Sequence, residues 1–124
     1  LNWNWLEEYA RFVWRNLPFV QGVAFMGMEL TAEAHKHKND LWINPKDYIK
    51  FLTNAVDYLN DFNVAVWIYN LPLCLFSEKY RKFVVKSISP WKIKYLSKCE
   101  SCNMKQFCGG LFFSDIKEYE KILC

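Results

Sequence analysis

Glycine and proline are scarce in this chain, four of each in 124 residues. That scarcity excludes the linker-like and low-complexity compositions that stay disordered. No apolar run is long enough to cross a bilayer and no signal-peptide pattern opens the sequence, so neither a membrane nor a secretory role is expected. Cationic residues form no dense block. The longest basic stretch, Lys79 to Lys98, is interrupted by Phe83, Val84, Val85, Ile88 and Trp91. With a formal charge of only +3, that stretch describes an amphipathic surface, and nucleic acid is not an expected partner. Internal repeats are absent.

Apolar residues are plentiful. They make up 52% of the chain and aromatics 19%, enough for one globular domain with a modest core. So many aromatics fit a deeply buried sheet, or a surface that packs against more protein. The five cysteines are odd in number and clustered, unlike a disulfide framework, which points to a reducing, cytoplasmic setting. The sequence starts at Leu1, already inside a helical pattern, and is expected to be a piece of a longer protein.

Trp3, Leu6, Ala10, Val13, Trp14 and Leu17 recur at helical spacing until Asn16 and Pro18 stop the helix. Phe19 to Met28 is nearly continuous in apolar residues, as in a strand buried on both faces of a parallel sheet. Glu29 to Trp42 is polar and irregular, a loop at the strand's carboxyl end. Asn44 as cap, Pro45 at the first helical position and Asp47 in the first turn start the next helix. Its apolar stripe of Tyr48, Ile49, Leu52, Ala55, Val56, Leu59 and Phe62 covers about five turns. Val64 to Leu71 is a second buried strand, ended by Pro72. Strand, loop, helix and strand make one βαβ crossover, so the strands should be parallel neighbours. A third helix is expected from Ser77 to about Lys86, with Tyr80, Phe83 and Val84 inward, and a last short one around Asp115 to Leu123.

The chemistry concentrates in Cys99-Glu-Ser-Cys102-Asn-Met-Lys-Gln-Phe-Cys108-Gly109-Gly110. Two thiols at C-x-x-C spacing and a third nearby can converge on one centre, and the glycine pair lets the backbone pass close to its occupant. Cys74 falls three residues beyond the second strand, on the rim where α/β units collect ligands. A tail folded over that rim would assemble four thiolates from Cys74, Cys99, Cys102 and Cys108, the number that closes an iron–sulfur cluster or a tetrahedral zinc. Spacing leaves both open. It leans toward iron–sulfur, because zinc sites usually pair two C-x-x-C knuckles. Plainer readings exist: Cys74 as a buried small hydrophobe, the tail as a redox dithiol, Cys124 as a bystander. His35 and His37, two apart in a charged loop, are expected to be solvated. Glu29 directly follows a strand, where either an active-site carboxylate or a capping residue would sit. The tryptophans are core and packing residues, with Trp91 placed to wedge the tail against the body.

Four segments carry a family resemblance: Val-Ala-Phe-Met-Gly-Met-Glu (Val23 to Glu29), Leu-Trp-Ile-Asn-Pro-Lys-Asp-Tyr (Leu41 to Tyr48), Tyr-Asn-Leu-Pro-Leu-Cys (Tyr69 to Cys74) and Ser-Ile-Ser-Pro-Trp-Lys (Ser87 to Lys92). In this order they resemble the C-terminal half of radical SAM enzymes. Together with Cys-Glu-Ser-Cys and Cys-Gly-Gly-Leu-Phe-Phe in the tail, the chain looks most like the His-Xaa-Ser repeat system maturases, over essentially its whole length.

The resemblance implies an α/β fold, the C-terminal part of a partial (β/α)6 TIM-type barrel over residues 1–86. A SPASM- or twitch-like cysteine-rich tail would follow over residues 87–124. It implies an enzyme that cleaves S-adenosylmethionine and modifies a peptide substrate, of His-Xaa-Ser repeat type, through a 5′-deoxyadenosyl radical. Cys74, Cys99, Cys102 and Cys108 would hold an auxiliary 4Fe-4S cluster. Glu29 and Asn70, at the strand ends, would face the S-adenosylmethionine. The N-terminal half of the same enzyme would be the natural partner, and the piece alone should self-associate through its uncovered strand edge and apolar face.

Two features depart from the family pattern. The C-x-x-x-C-x-x-C motif that holds the S-adenosylmethionine-cleaving cluster is absent, so this chain alone should be inactive. Phe112 stands where the longer SPASM pattern has a fourth tail cysteine, which favours a single auxiliary cluster. The alternatives are a non-catalytic interaction module stabilised by zinc, and a metal-free α/β scaffold with an aromatic binding face.

Overall fold

Leu6 to Asn16 and Pro45 to Asp61 form the two long helices of the molecule, α1 and α4, and they pack on each other. The computed structural model describes residues 2–123; Cys124 lies outside the described residues. The architecture is mixed α/β with small sheets only, and the chain divides into two units. The first unit comprises residues 2–25 and 43–67, the second residues 26–42 and 68–123. The elements between and after the long helices are β1 (Gly22–Met26), α2 (Ala32–Lys36), α3 (Lys38–Leu41), β2 (Ala65–Tyr69), α5 (Glu78–Arg81), β3 (Ile93–Lys94), β4 (Leu111–Phe112) and α6 (Ile116–Leu123).

In the first unit α4 begins as its sequence dictates. The Asn44 side chain accepts from the Lys46 N–H at 2.9 Å, Pro45 takes the first position, and Asp47 sits in the first turn. Leu52, Ala55, Val56 and Leu59 are buried along one stripe, and Ala10 is the buried residue of α1. The small Ala10 and Ala55 suit close approach of two backbones. Aromatic pairs lock the rims: Trp3 lies edge-on to Phe51 at 5.3 Å, and Trp14 lies 4.0 Å from Phe62. α4 ends through Asn63 at φ 58°, with the Val64 N–H bonded back to the Leu59 carbonyl. Asparagine tolerates that left-handed exit into β2 better than most residues.

β1 and β2 are hydrogen-bonded neighbours. The Ala65 N–H donates to Gln21 at their starts and the Gly27 N–H to Tyr69 at their ends, so the two run parallel. The expectation of strands buried on both faces is corrected here. Burial alternates: Val66 and Ile68 are inside, whereas Met26 and Trp67 are exposed. No second layer of helices covers that face among the described residues. Gly22 is required by its neighbour, because a Cβ there would fall 2.4 Å from the Trp67 ring.

In the second unit the expected helix from Ser77 to Lys86 shrinks to α5. The chain instead returns to extended form, with Val84 in a parallel bridge to Ile68. The Ile68 N–H donates to Phe83 at 2.7 Å and its carbonyl accepts from Val85 at 2.8 Å. Two β-branched residues beside a strand with free backbone groups favour pairing over helix. The expected loop from Glu29 to Trp42 contains α2 and α3. β3 and β4 pair antiparallel, Ile93 opposite Phe112 and Lys94 opposite Leu111. Leu96, Leu111 and Tyr119 make a core against which Trp42, Cys99 and Leu123 pack. Trp91 is not a wedge: it is 80% exposed. No helix among the described residues is long and apolar enough to cross a membrane.

Candidate metal centre

Pro72 ends the run that contains β2, and the following turn, Leu73–Leu75, presents Cys74. Cys99 and Cys102 lie at the two ends of a second tight turn: Cys99 falls within the 3₁₀ segment Ser97–Ser101, and the Cys102 N–H donates to the Cys99 carbonyl at 3.2 Å. A further turn closes with the Cys108 N–H on the Met104 carbonyl at 3.0 Å. All four thiols, three from one short run and Cys74 from well before it, line one cavity of about 190 Å³. Leu73, Leu111 and Tyr95 help to form its walls.

Local bonds hold the third thiol. The Gly110 N–H donates to Cys108 Sγ at 3.4 Å, and the Tyr95 hydroxyl donates to the Cys108 carbonyl at 3.1 Å. Sulfur accepts weakly as a thiol and far better as a thiolate, so the Gly110 contact strengthens when the proton leaves. The glycine pair divides its duties. Gly110, at φ +72°, approaches β3 so closely that a Cβ would lie 2.8 Å from Ile93 Cγ2, whereas one on Gly109 would make ordinary contacts. The close approach expected at a bound group is therefore, at Gly110, an approach to the neighbouring strand.

Burial raises the Cys74 thiol above its ordinary value, and the nearby Cys108 and Cys99 sulfurs raise it further, while Lys98 lowers it. Cys74 is exposed as a residue and lines the cavity. Burial likewise raises the Tyr95 phenol, with Cys108 adding to the effect. These couplings describe mutually repelling anions. A positive centre among them would reverse the balance and favour the thiolates.

Glu29 and Asn70 occupy other positions in the second unit. Glu29 receives the Lys92 ammonium on both oxygens, at 3.0 and 2.9 Å. Asn70, at φ 62°, donates from Nδ2 to the Gly27 carbonyl at 3.3 Å and exchanges bonds with Ser87. Neither is among the residues lining the cysteine cavity. His35 and His37 are exposed.

Sequence reasoning passed over Asp115, the one buried charged residue of the described chain. Its Oδ1 accepts from the Leu30 N–H and the Ser114 hydroxyl, both at 2.8 Å. An aspartate just before a helix is too common to signal a partner 85 residues away.

Among the described residues, no group of three or more His, Cys, Asp or Glu side chains is arranged to hold a single metal ion. The four thiols share a cavity instead. A lone zinc would draw them to about 3.8 Å from one another, the tetrahedral edge for Zn–S bonds of about 2.3 Å. The space they border is larger than one ion fills. Comparison of the chain with protein-family models, curated proteins and solved structures returns no match.

Proposed function

We propose that this chain is the C-terminal part of a radical SAM enzyme that modifies a peptide through a 5′-deoxyadenosyl radical. In this reading Cys74, Cys99, Cys102 and Cys108 hold an auxiliary 4Fe-4S cluster. The observation that carries the cluster is that Cys74 and the three thiols of the tail line one cavity of about 190 Å³. The four-thiol donor set suits iron–sulfur ligation. The Gly110 N–H aimed at Cys108 Sγ is the kind of contact that stabilises a ligating sulfur.

When bound, such a cluster supplies either a store for one electron or an attachment point for the substrate. The chain's own contribution is to bind through its thiolates, orient Cys108 through Gly110 and Tyr95, and limit water with Leu73 and Leu111. β1, α4 and β2 are then the βαβ unit of a partial (β/α)6 barrel, completed by the N-terminal half of the enzyme. Glu29 and Asn70, near the strand ends, border the cofactor side. A reducing cytoplasm suits the free thiols.

Anaerobic reconstitution of the chain with ferrous iron and sulfide tests this. We expect a brown protein with iron and sulfide in equal amounts, and Cys99→Ser with Cys102→Ser abolishing most of both. A colourless protein that takes up one zinc and refuses iron with sulfide overturns the cluster in favour of a zinc-stabilised module. Indifference of stability to both metals and to the substitutions overturns metal binding altogether.

A further inference from the structure

The charged side chains lining the cysteine cavity, apart from the thiols themselves, are all cationic. Arg81, Lys98 and Lys105 border it, and no carboxylate does so among the described residues. Glu100 stands between Cys99 and Cys102 in sequence, yet its carboxylate lies 2.9 Å from the Lys105 ammonium and stays 74% exposed. Arg81 is half-buried and fixed by a bond from Nε to the Phe76 carbonyl at 3.2 Å. The Lys105 ammonium also lies 5.3 Å from the centre of the Tyr95 ring. Lys98, adjacent to Cys99, is exposed.

A zinc ion keeps its charge, so a cationic wall would do nothing selective for it. A redox cluster becomes more negative with each electron it accepts. Fixed positive charges beside it stabilise that more negative form, most strongly where burial lowers the dielectric and least where solvent and salt screen them. Net charge, hydrogen bonds to sulfur and solvent exposure set the potentials of such clusters. Two of the three favour reduction here, the cationic lining and the Gly110 N–H on Cys108; the mostly apolar wall opposes it, which leaves the fixed charges to offset the cost of desolvation.

Resting on the cluster reading above, we infer that Arg81, Lys98 and Lys105 are tuning residues that raise the reduction potential of a cluster held by the four cysteines. The centre is thereby suited to accept an electron from a low-potential one-electron donor. One electron leaves the donor and enters the cluster; no bond in the protein is made or broken.

The test is a redox titration of the anaerobically loaded chain, followed by electron paramagnetic resonance, with iron and sulfide counted in every variant. In the pair Arg81→Gln and Lys105→Gln combined, the reduced-to-oxidised ratio at fixed potential should fall about tenfold, a shift of about 59 mV for a one-electron couple. Lys98→Gln should act in the same direction, more weakly, and its effect should vanish at high salt. Arg81→Lys and Lys105→Arg should restore the original ratio, which a merely structural role would not require. Should Arg81→Gln impair folding, Lys98→Gln with Lys105→Gln reads the same quantity. Unchanged ratios in loaded, charge-removed variants overturn the inference and leave the cluster standing. Failure of the unsubstituted chain to take up iron and sulfide overturns the cluster reading and the inference with it.

Discussion

Gly110 shows how much one missing methyl group decides. Its backbone sits at φ +72°, and an added Cβ would press on Ile93 Cγ2 and, at 2.9 Å, on the Lys94 carbonyl. A left-handed conformation alone costs an ordinary residue about 1–2 kcal/mol. Gly110→Ala should therefore destabilise by about 2 kcal/mol or more once the clash is added. Gly109→Ala should be near neutral, since its nearest neighbour would be Lys86 Cα at 3.5 Å. Urea unfolding of both variants checks the contrast, and equal losses would refute it. The sequence marked both glycines as special because Gly-Gly beside a cysteine run invites that reading. Only the pairing of β3 with β4 separates them, and two-residue strands leave too short a pattern to detect. Gly22 was illegible for the same reason: its constraint is a tryptophan ring 45 residues away.

At the level of elements, legibility followed length and capping. α4 was fully apparent, since Asn44, Pro45 and a long apolar stripe all agree, and local signals that agree are rarely overridden. α5 was overcalled. Ser77 occupies the cap position but makes no side-chain capping bond, and the pull of Ile68's backbone on Phe83 and Val85 wins. The junction into α6 offers a pH test. Burial holds the Asp115 carboxyl above its ordinary 3.8; the Leu30 N–H and Ser114 hydroxyl pull it down, and Glu29 and Glu118 push it up again. A carboxyl raised in the folded state contributes its stability fully below 3.8 and loses it as pH rises through the folded value. Asp115→Asn keeps both accepted bonds and cannot ionise. The stability of the unsubstituted chain relative to this variant should thus fall as pH climbs above 3.8, then level off. Denaturant melts at a series of pH values measure it, and a constant difference would sink the idea. Glu118 runs the other way, its carboxyl lowered chiefly by the Lys38 hydrogen bond. It is present in both proteins and largely cancels.

For the molecule as a whole, an aromatic-rich composition fits either a deeply buried sheet or a surface that packs against more protein, and Trp91 at 80%, Phe19 at 77% and Met26 at 67% are exposed. Contiguous exposed apolar patches mark surfaces that meet more protein, whereas singly exposed side chains do not. The chain in isolation should associate as concentration rises, with sedimentation coefficients that increase accordingly. Phe19→Lys with Met26→Lys should return it toward monomer without lowering its melting temperature. A single species across the whole concentration range would argue that these side chains have no partner to meet. That the thiols would share one cavity was legible, because Cys74 sits at a strand's rim and the others lie in one run. The cationic wall was not, since Arg81, Lys98 and Lys105 look like ordinary surface charges until the turns bring them around the sulfurs.

The chain passes between its two units after residues 25, 42 and 67. No single cut can release either unit intact. A cut after residue 42 divides both units, whereas one after residue 25 divides only the first and one after residue 67 only the second. Excision of the cysteine-bearing part as a free-standing piece would require joining residues 26–42 to residues 68–123, an internal deletion as well as a terminal one.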